Sequence, residues 1–424
     1  MTPPASIPRR ILCGLLIAVF AAVLLLPLFS QITKIPPDRR LGGFRYRIRE
    51  FPAWTPRSWL NGEFASTVDA WTGEHIGLRG WQVILNRQLR YWLFGQVEAA
   101  PLRKRAMVIG TPPMLYENIL LVDALRQAQI PSDQMEDYAD RLARMQAQLR
   151  EQGMAFAVVV APNKALIYTN SLPAWARPYI HDDHTDFKPF VDALRRRKVP
   201  CLDTMTLFRE LTPEHPDLVP PHAIHWGHHG AWIALQQLIP LINRQDLLPP
   251  IPVPETEDLI MDKPSSMNDE LRGQLNLLSG PHMAPIPSAY PVAAPLPPGV
   301  EPMLDVLIVG DSFGFTFMDA LARSRLCRVI HYWFYMKSLK QAVPAAFDSR
   351  EIRGLPHFAG LGVQRPSDEN GTRILEGKNV VFLVVTTFNI DKFSWGFDRL
   401  VNRLYGDSGE ELPPVEDPDV NLAD

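Results

Sequence analysis

Nineteen consecutive residues, Ile11 to Phe29, carry no charge, and Arg9 and Arg10 stand immediately before them. At about 1.5 Å per residue such a helix rises roughly 28 Å, close to the bilayer hydrocarbon thickness of about 30 Å. No other feature constrains the chain as strongly, because whatever follows has to fold beside a membrane. A cleaved leader needs a shorter apolar core and a small-residue cleavage site. Here the run ends in Pro27, Leu28, Phe29, Ser30 and Gln31 without an Ala-x-Ala pattern. The expectation is an uncleaved anchor over residues 1–33. Lys34, Arg39, Arg40, Arg45, Arg47 and Arg49 follow it, but long domains translocate largely regardless of such charges, so a charge count does not orient the chain.

The chain has 424 residues, 21% of them charged, and a formal net charge of −3. It therefore has no global basic field to draw nucleic acid. Of three cysteines, Cys13 lies in the apolar run, leaving at most one pairing, Cys201 with Cys327. That excludes a disulfide framework and cysteine-built metal sites, and two buried free thiols is the preferred reading. Thirteen of the 41 prolines fall between Leu248 and Met303. That stretch reads as an extended, surface-running insertion (248–303) with one helical island near Met267 to Leu278. Residues 407–424 are acidic and aperiodic, and read as a disordered tail.

Periodicity organises the body, expected over 51–406. Helices are predicted near Asn61 to Thr72 and Trp81 to Leu93, the second with Val83, Leu85, Leu89, Trp92 and Leu93 mainly on one face, read as core packing. Ser132 is the expected N-cap of a helix closed by Gly153, with Met135, Tyr138, Leu142, Met145 and Leu149 at three-four spacing. Phe156 to Val160 is a continuous valine-rich run, which suits a parallel strand buried on both faces. A helix over Phe187 to Arg196, strands at Val199 to Asp203, Leu304 to Val309, Val329 to Trp333 and Val380 to Val385, and a helix near Phe315 to Ser324 continue the alternation. Strands alternating with helices imply an α/β fold with a mostly parallel sheet flanked by helices. Ligands bind such sheets beyond the carboxyl ends of the strands, here the loops bearing Asn163, Ser312 and Asn389.

Two elements can carry chemistry. Ser312 follows a strand and precedes a helix, in Gly310-Asp311-Ser312-Phe313. A hydroxyl placed there can attack a carbonyl carbon, and backbone N–H groups at the helix start can hold the resulting oxyanion. The same triplet can equally be a turn in which Asp311 or Ser312 caps the helix. His225, in Ala223-Ile224-His225-Trp226-Gly227-His228-His229, is the candidate base, since an imidazole titrates near neutrality. A metal site is not expected: His228 and His229 are adjacent and point to different sides of a helix starting near Gly227, and no acidic residue of good ligand spacing accompanies them. His222 and His228 read as polar residues of a loop and a first helical turn. No cofactor is expected.

Taken together and in order, these motifs resemble the SGNH-hydrolase-like domain of the alginate O-acetylation proteins AlgJ and AlgX and their relatives in exopolysaccharide acetylation. The likeness runs from about Phe51 to Phe393. Trp71 to Arg79 resembles the family segment ending in an acidic residue, histidine and arginine, and Asn86 to Gly95 the helix after it. Pro162-Asn163-Lys164 with Tyr168 and Pro173 resembles its loop of proline, lysine, tyrosine and proline. His225-Trp226 with Gly230-Ala231 resembles its Asp-x-His-Trp motif, and Gly310 to Phe313 its nucleophile turn. The resemblance implies an SGNH-like fold and acyl transfer through Ser312 with His225 as base. Asp311, Lys164 and Arg79 are the candidate supporting residues. It also implies a polysaccharide acceptor, a membrane-bound O-acyltransferase partner supplying acetyl groups, and a periplasmic body held at the inner membrane.

One departure bears on activity. The family's aspartate, two residues before the histidine, is Ala223 here, and the position one residue earlier is His222. Losing an aspartate that orients the imidazole typically costs several orders of magnitude in rate. Either another carboxylate, such as Asp217 or Asp311, orients His225, or a backbone carbonyl does, or the site is weak. Beside O-acetylation stand two other readings: an acetyl-esterase using the same serine, and a non-catalytic carbohydrate-binding component of an exopolysaccharide machine, which Ala223 favours.

Overall fold

The computed structural model describes residues 7–43, 50–97, 106–125, 130–180, 185–344, 359–392 and 394–406. The expected acidic tail lies outside them, as do Arg45, Arg47, Arg49 and Phe393. The chain divides into two compact units, residues 1–99 with 272–283, and 100–271 with 284–424. The proline-rich stretch contributes to both units.

The first unit opens with α1 (Ile7–Thr33). From Ile11 to Thr33 it is long and apolar enough to cross a membrane, and its side chains are exposed except at Ala21, Pro27 and Gln31, which are half-buried, and Ser30, which is buried. Then come α2 (Pro56–Leu60), capped by Thr55 and Ser58 in a reciprocal box, α3 (Glu63–His75) and α4 (Arg79–Phe94). Gly80, Ile84 and Gln88 are the buried residues of α4. Leu85, Leu89, Trp92 and Leu93, expected in a core, are exposed.

The second unit begins with a two-stranded antiparallel pair, β1 (Met107–Ile109) and β2 (Leu115–Glu117). Next are α5 (Asn118–Leu125), α6 (Ser132–Glu151), β3 (Ala155–Ala161), the short α7 (Lys164–Ile167), α8 (Phe187–Arg196), β4 (Cys201–Asp203), α9 (Thr204–Leu211) and α10 (His228–Asn243). Ser132 opens α6 as its first helical residue, with Pro131 in the cap position and no side-chain cap bond. Gly153 adopts the left-handed conformation that closes the turn after α6.

The proline-rich stretch has structure of its own. β5 (Thr256–Asp262) pairs antiparallel with β6 (Ser288–Ala293), and α11 (Glu270–Leu275) lies between them. All six residues of β6 are buried, so the insertion does not simply run over the surface. The chain continues through β7 (Leu304–Gly310), α12 (Gly314–Arg323), β8 (Cys327–Phe334), β9 (Ser338–Ala342), β10 (Ala359–Val363), α13 (Asp368–Leu375), β11 (Val380–Thr386) and α14 (Phe397–Tyr405).

The main sheet has seven strands in the order β10-β9-β8-β7-β11-β3-β4. The five strands from β8 to β4 run parallel, and β9 and β10 add antiparallel at one edge. Every residue of β3 and β11 is buried, which is what continuous valine-rich runs achieve when helices cover both faces. One core layer joins α6, α8 and α14 to the sheet, and the other joins α10 and α12. This is the SGNH-like α/β architecture, mostly parallel and flanked by helices. Cys201 and Cys327 are both free.

Candidate active site

β7 and β11 approach so closely at their ends that a Cβ on Gly310 would come within 2.3 Å of the Val384 carbonyl oxygen. A glycine there lets the chain turn sharply into Asp311-Ser312-Phe313 before α12. Asp311 is fully buried, and its carboxylate accepts hydrogen bonds from the Thr386 N–H (2.8 Å), the Thr386 hydroxyl (2.7 Å), Asn389 Nδ2 (2.9 Å) and the Phe313 N–H (3.2 Å). Burial pushes its pKa up, against the pull of those bonds. Asp311 thus fastens the nucleophile turn to the end of β11. It does not touch His225.

Ser312, half-buried, presents its hydroxyl to His225. Ser312 Oγ lies 2.8 Å from His225 Nε2, and His225 Nδ1 lies 2.8 Å from Glu270 Oε1. A carboxylate only accepts, so Nδ1 carries the proton and Nε2 is left to accept from the serine hydroxyl. The same Glu270 oxygen takes the Ile224 N–H at 2.7 Å, which fixes the carboxylate against the histidine loop. The acid absent at position 223 is therefore supplied by Glu270, the first residue of α11, from the proline-rich insertion. Neither Asp217 nor Asp311 plays that part.

The histidine loop is held from three sides. Trp226 Nε1 donates to the Phe313 carbonyl at 3.0 Å, and the Phe313 ring packs 4.8 Å from the imidazole. Lys164, buried after β3, donates through Nζ to the carbonyls of Pro221 (3.0 Å) and Ala223 (2.5 Å) and sits over the Tyr116 ring. Burial lowers its pKa to about 7, against the pull of Glu270. Ala223 is itself buried, so the position lacking its carboxylate has a packing and hydrogen-bonding task. Asn163 caps α7 through the Ala165 N–H and donates to Asp123, which also accepts from Thr387 beyond β11. Arg79 lies in the other unit, at the start of α4.

Tyr335 completes the turn. Its hydroxyl lies near Ser312 and Asn389. Burial and the Asp311 charge push its pKa up to about 12, against the downward pull of those polar groups. Its backbone is left-handed (φ 48°), as is that of Met336 (φ 55°), and its N–H donates to the Gly310 carbonyl at 2.9 Å. Non-glycine residues in that region are strained by about 1–3 kcal/mol and concentrate at functional sites. Tyr335 packs edge-on against Trp395 at 5.6 Å, while Trp333 is fully buried in the core.

The neighbouring histidines are tied elsewhere. His228 Nδ1 donates to Asp319 (2.6 Å), His229 Nδ1 to Asp217 (2.6 Å), and His222 lies 3.3 Å from Asp269. Burial would raise the Asp217 pKa, but its bond to His229 and the charges of His229 and His215 hold it below the usual carboxylate range. Among the described residues one group with metal-capable side chains converges, His215, Asp217 and His229, with ligand atoms within 4.8 Å of one another. In it the His229 nitrogen is already engaged by the Asp217 carboxylate.

Glu270 is the residue that sequence reasoning missed. It stands 45 positions after His225, in a stretch read as surface connection, and no spacing rule links the two. Tyr335 was visible only as one aromatic among many.

The family described as "SGNH hydrolase-like domain, acetyltransferase AlgX" matches residues 120–333, half of the chain. Among solved structures, the O-acetyltransferase domain of Pseudomonas putida AlgJ is 17% identical, with a TM-score of 0.42, covering 70% of this chain and 99% of that one. Pseudomonas aeruginosa AlgX is 13% identical with a TM-score of 0.42, covering 73% and 69%. Bacillus cereus PatB1 is 12% identical with a TM-score of 0.39, covering 67% and 96%. No curated protein matches the chain by sequence.

Proposed function

The chain belongs to the AlgX family of SGNH-hydrolase-like acetyltransferase domains, and from that premise we propose that it O-acetylates an extracellular polysaccharide in the periplasm. The family gives an acyltransferase role related to exopolysaccharide O-acetylation. The observation that carries the catalytic assignment is the unbroken chain Ser312–His225–Glu270, with 2.8 Å at each link.

In this reading Ser312 Oγ attacks the carbonyl carbon of a bound acetyl donor while His225 Nε2 takes its proton. Glu270 keeps the Nδ1 proton in place and stabilises the imidazolium as it forms. The carbonyl oxygen, now negative, is held by backbone N–H groups at the turn into α12, that of Ser312 among them. His225 then protonates the departing donor group and an acetyl-serine remains. A sugar hydroxyl enters, loses its proton to Nε2, and attacks the acyl carbon; collapse of the second tetrahedral species returns the proton to Ser312. The non-catalytic reading drew its support from Ala223, and Glu270 removes that support.

The helix α1 fits the same scheme. It would hold the body at the inner membrane beside a membrane-bound O-acyltransferase that delivers acetyl groups, raising the effective concentration of donor at the serine. Polymer acetylation measured in cells carrying Ser312→Ala or His225→Ala tests the proposal. It requires loss of acetylation in both, and unchanged acetylation in both would overturn it. Acetate release from acetylated polymer by the purified chain, with and without acceptor sugar, separates transfer from esterase action.

A further inference from the structure

Helix α4 is amphipathic the wrong way round for a core helix. Its inward face is polar in its contacts: Gln88 Oε1 accepts from the N–H groups of Leu278 and Ser279 at 2.8 and 3.0 Å, and Arg87 donates to the Gln274 carbonyl at 2.6 Å. Its large apolar residues face out. Leu85, Leu89, Trp92 and Leu93 are all more than half exposed, and at 3.6 residues per turn they fall within an arc of roughly 100°. Asn86 and Arg90 follow at one edge of that stripe. The segment before α3 repeats the pattern, with Phe51, Trp54, Trp59 and Leu60 exposed, the last to 86%. Soluble proteins bury such stripes, and exposed apolar patches of this kind mark interaction surfaces.

The same unit shows what lies next to them. The turn between α3 and α4 sits on the end of α1: a Cβ on Gly77 would meet the Pro27 carbonyl oxygen at 2.2 Å and the Gln31 nitrogen at 2.7 Å. The start of α4 is tied to the residues leaving α1, with the Gly80 N–H donating to Asp38 (2.9 Å), Trp81 Nε1 donating to the Pro37 carbonyl (3.2 Å) and Arg39 lying over the Trp81 ring. Pro27 and Gln31 belong to the last turns of the apolar span. The tryptophan-, leucine- and arginine-bearing helices are therefore fastened at the level where that span meets water. That composition suits an interfacial helix, with aromatic rings among the headgroups and arginines at the edge.

We propose that the outward stripe of α4, with the exposed aromatics of residues 51–60, is a lipid-binding surface that lies in the headgroup region of the membrane crossed by α1. The proposal rests on the reading of α1 as a membrane span. Its occupant is the bilayer itself, because the span that α4 is tied to is bathed in the same medium.

Site-directed spin labelling of the full chain in lipid nanodiscs tests this, with Cys13, Cys201 and Cys327 replaced by serine and single cysteines introduced at Leu16, Leu85, Asn86, Leu89, Arg90 or Trp92. Collisional access to oxygen, which prefers lipid, is compared with access to a water-soluble nickel chelate. The expected result is an oxygen-to-nickel ratio several-fold higher at positions 85, 89 and 92 than at 86 and 90, with position 16 higher still. A water-like ratio at 85, 89 and 92 beside a lipid-like one at 16 overturns the lipid-binding surface while leaving the span intact. A water-like ratio at 16 overturns the span, and the surface with it.

Discussion

Two serine–histidine–carboxylate chains lie side by side in this molecule, their histidines three residues apart. In one, Ser312 meets His225 and His225 meets Glu270. In the other, Ser265 Oγ lies 3.1 Å from His228 Nε2, and His228 Nδ1 lies 2.6 Å from Asp319. The connectivity is the same and the surroundings are opposite. Ser312 sits at a strand end, on the turn that Asp311 fastens to Thr386 of β11 and to Asn389 beyond it. Ser265 sits in a turn of the insertion, where its hydroxyl also takes the Asn268 N–H. Asp319 is shared with the buried Arg323 at 2.8 Å, and His228 packs at 4.9 Å on Tyr290 of β6. Burial would raise the Asp319 pKa, but the charges of Arg323 and His228 bring it down to about 2. The second chain is thus a clamp, binding the insertion to α10 and α12. A triad's chemistry is conferred by what surrounds the serine, not by the relay alone.

The largest effects should fall on the first chain. Ser312→Ala or His225→Ala is expected to lower acetyl transfer by about a thousandfold or more, with the folded chain's melting temperature little changed. Glu270→Gln, which keeps the shape but lets Nδ1 lose its donor role, should cost about a hundredfold to ten-thousandfold, read as kcat/KM. If Ser265→Ala were as damaging as Ser312→Ala, the contrast between the chains would be broken. A serine-directed fluorophosphonate should label Ser312 and leave Ser265 unmodified, as mass spectrometry of the peptides would show.

Asp319→Asn should move stability instead. It takes a carboxylate from a buried guanidinium and a buried imidazole, a change that costs about 3–5 kcal/mol, seen as a lower denaturation midpoint with the remaining folded enzyme still active. The depressed pKa gives a sign. Asp319 contributes stability that is present above the unfolded carboxylate value of 3.8 and is lost as pH falls toward about 2. The variant should flatten the melting curve over that acid window.

The contrast also explains what was legible beforehand. The strands β3, β7 and β11 and the helix α6 were readable because their residues obey one local rule each, continuous apolar runs or three-four spacing. Ser312 and His225 were readable because a strand–turn–helix and a short His-Trp motif are local too. Glu270 was not. Its role arises from a proline-rich stretch folding back between β5 and β6, and no periodicity encodes that closure. The exposure of Leu85, Leu89, Trp92 and Leu93 was misread for a related reason: helical spacing reveals an apolar face without revealing whether protein covers it.

The smallest expected effect is at Lys164. Its Nζ donates to the Pro221 and Ala223 carbonyls that precede His225, so it sets the base without touching substrate. Burial lowers its pKa to about 7 from an ordinary 10.5. Between those values the unfolded chain binds the proton that the folded chain has released, so stability rises with pH across that window and the cost of charging the buried amine is full below it. Lys164→Met should abolish that rise in a melting-temperature series from pH 6 to 10. It should also reduce kcat about tenfold, an order-of-magnitude expectation for a displaced base, while KM for the acceptor stays near its original value. A flat series in the original chain would show that Lys164 keeps its charge in the fold. A kcat unchanged by Lys164→Met would show that the Trp226–Phe313 contact and Glu270 suffice to hold His225 on Ser312.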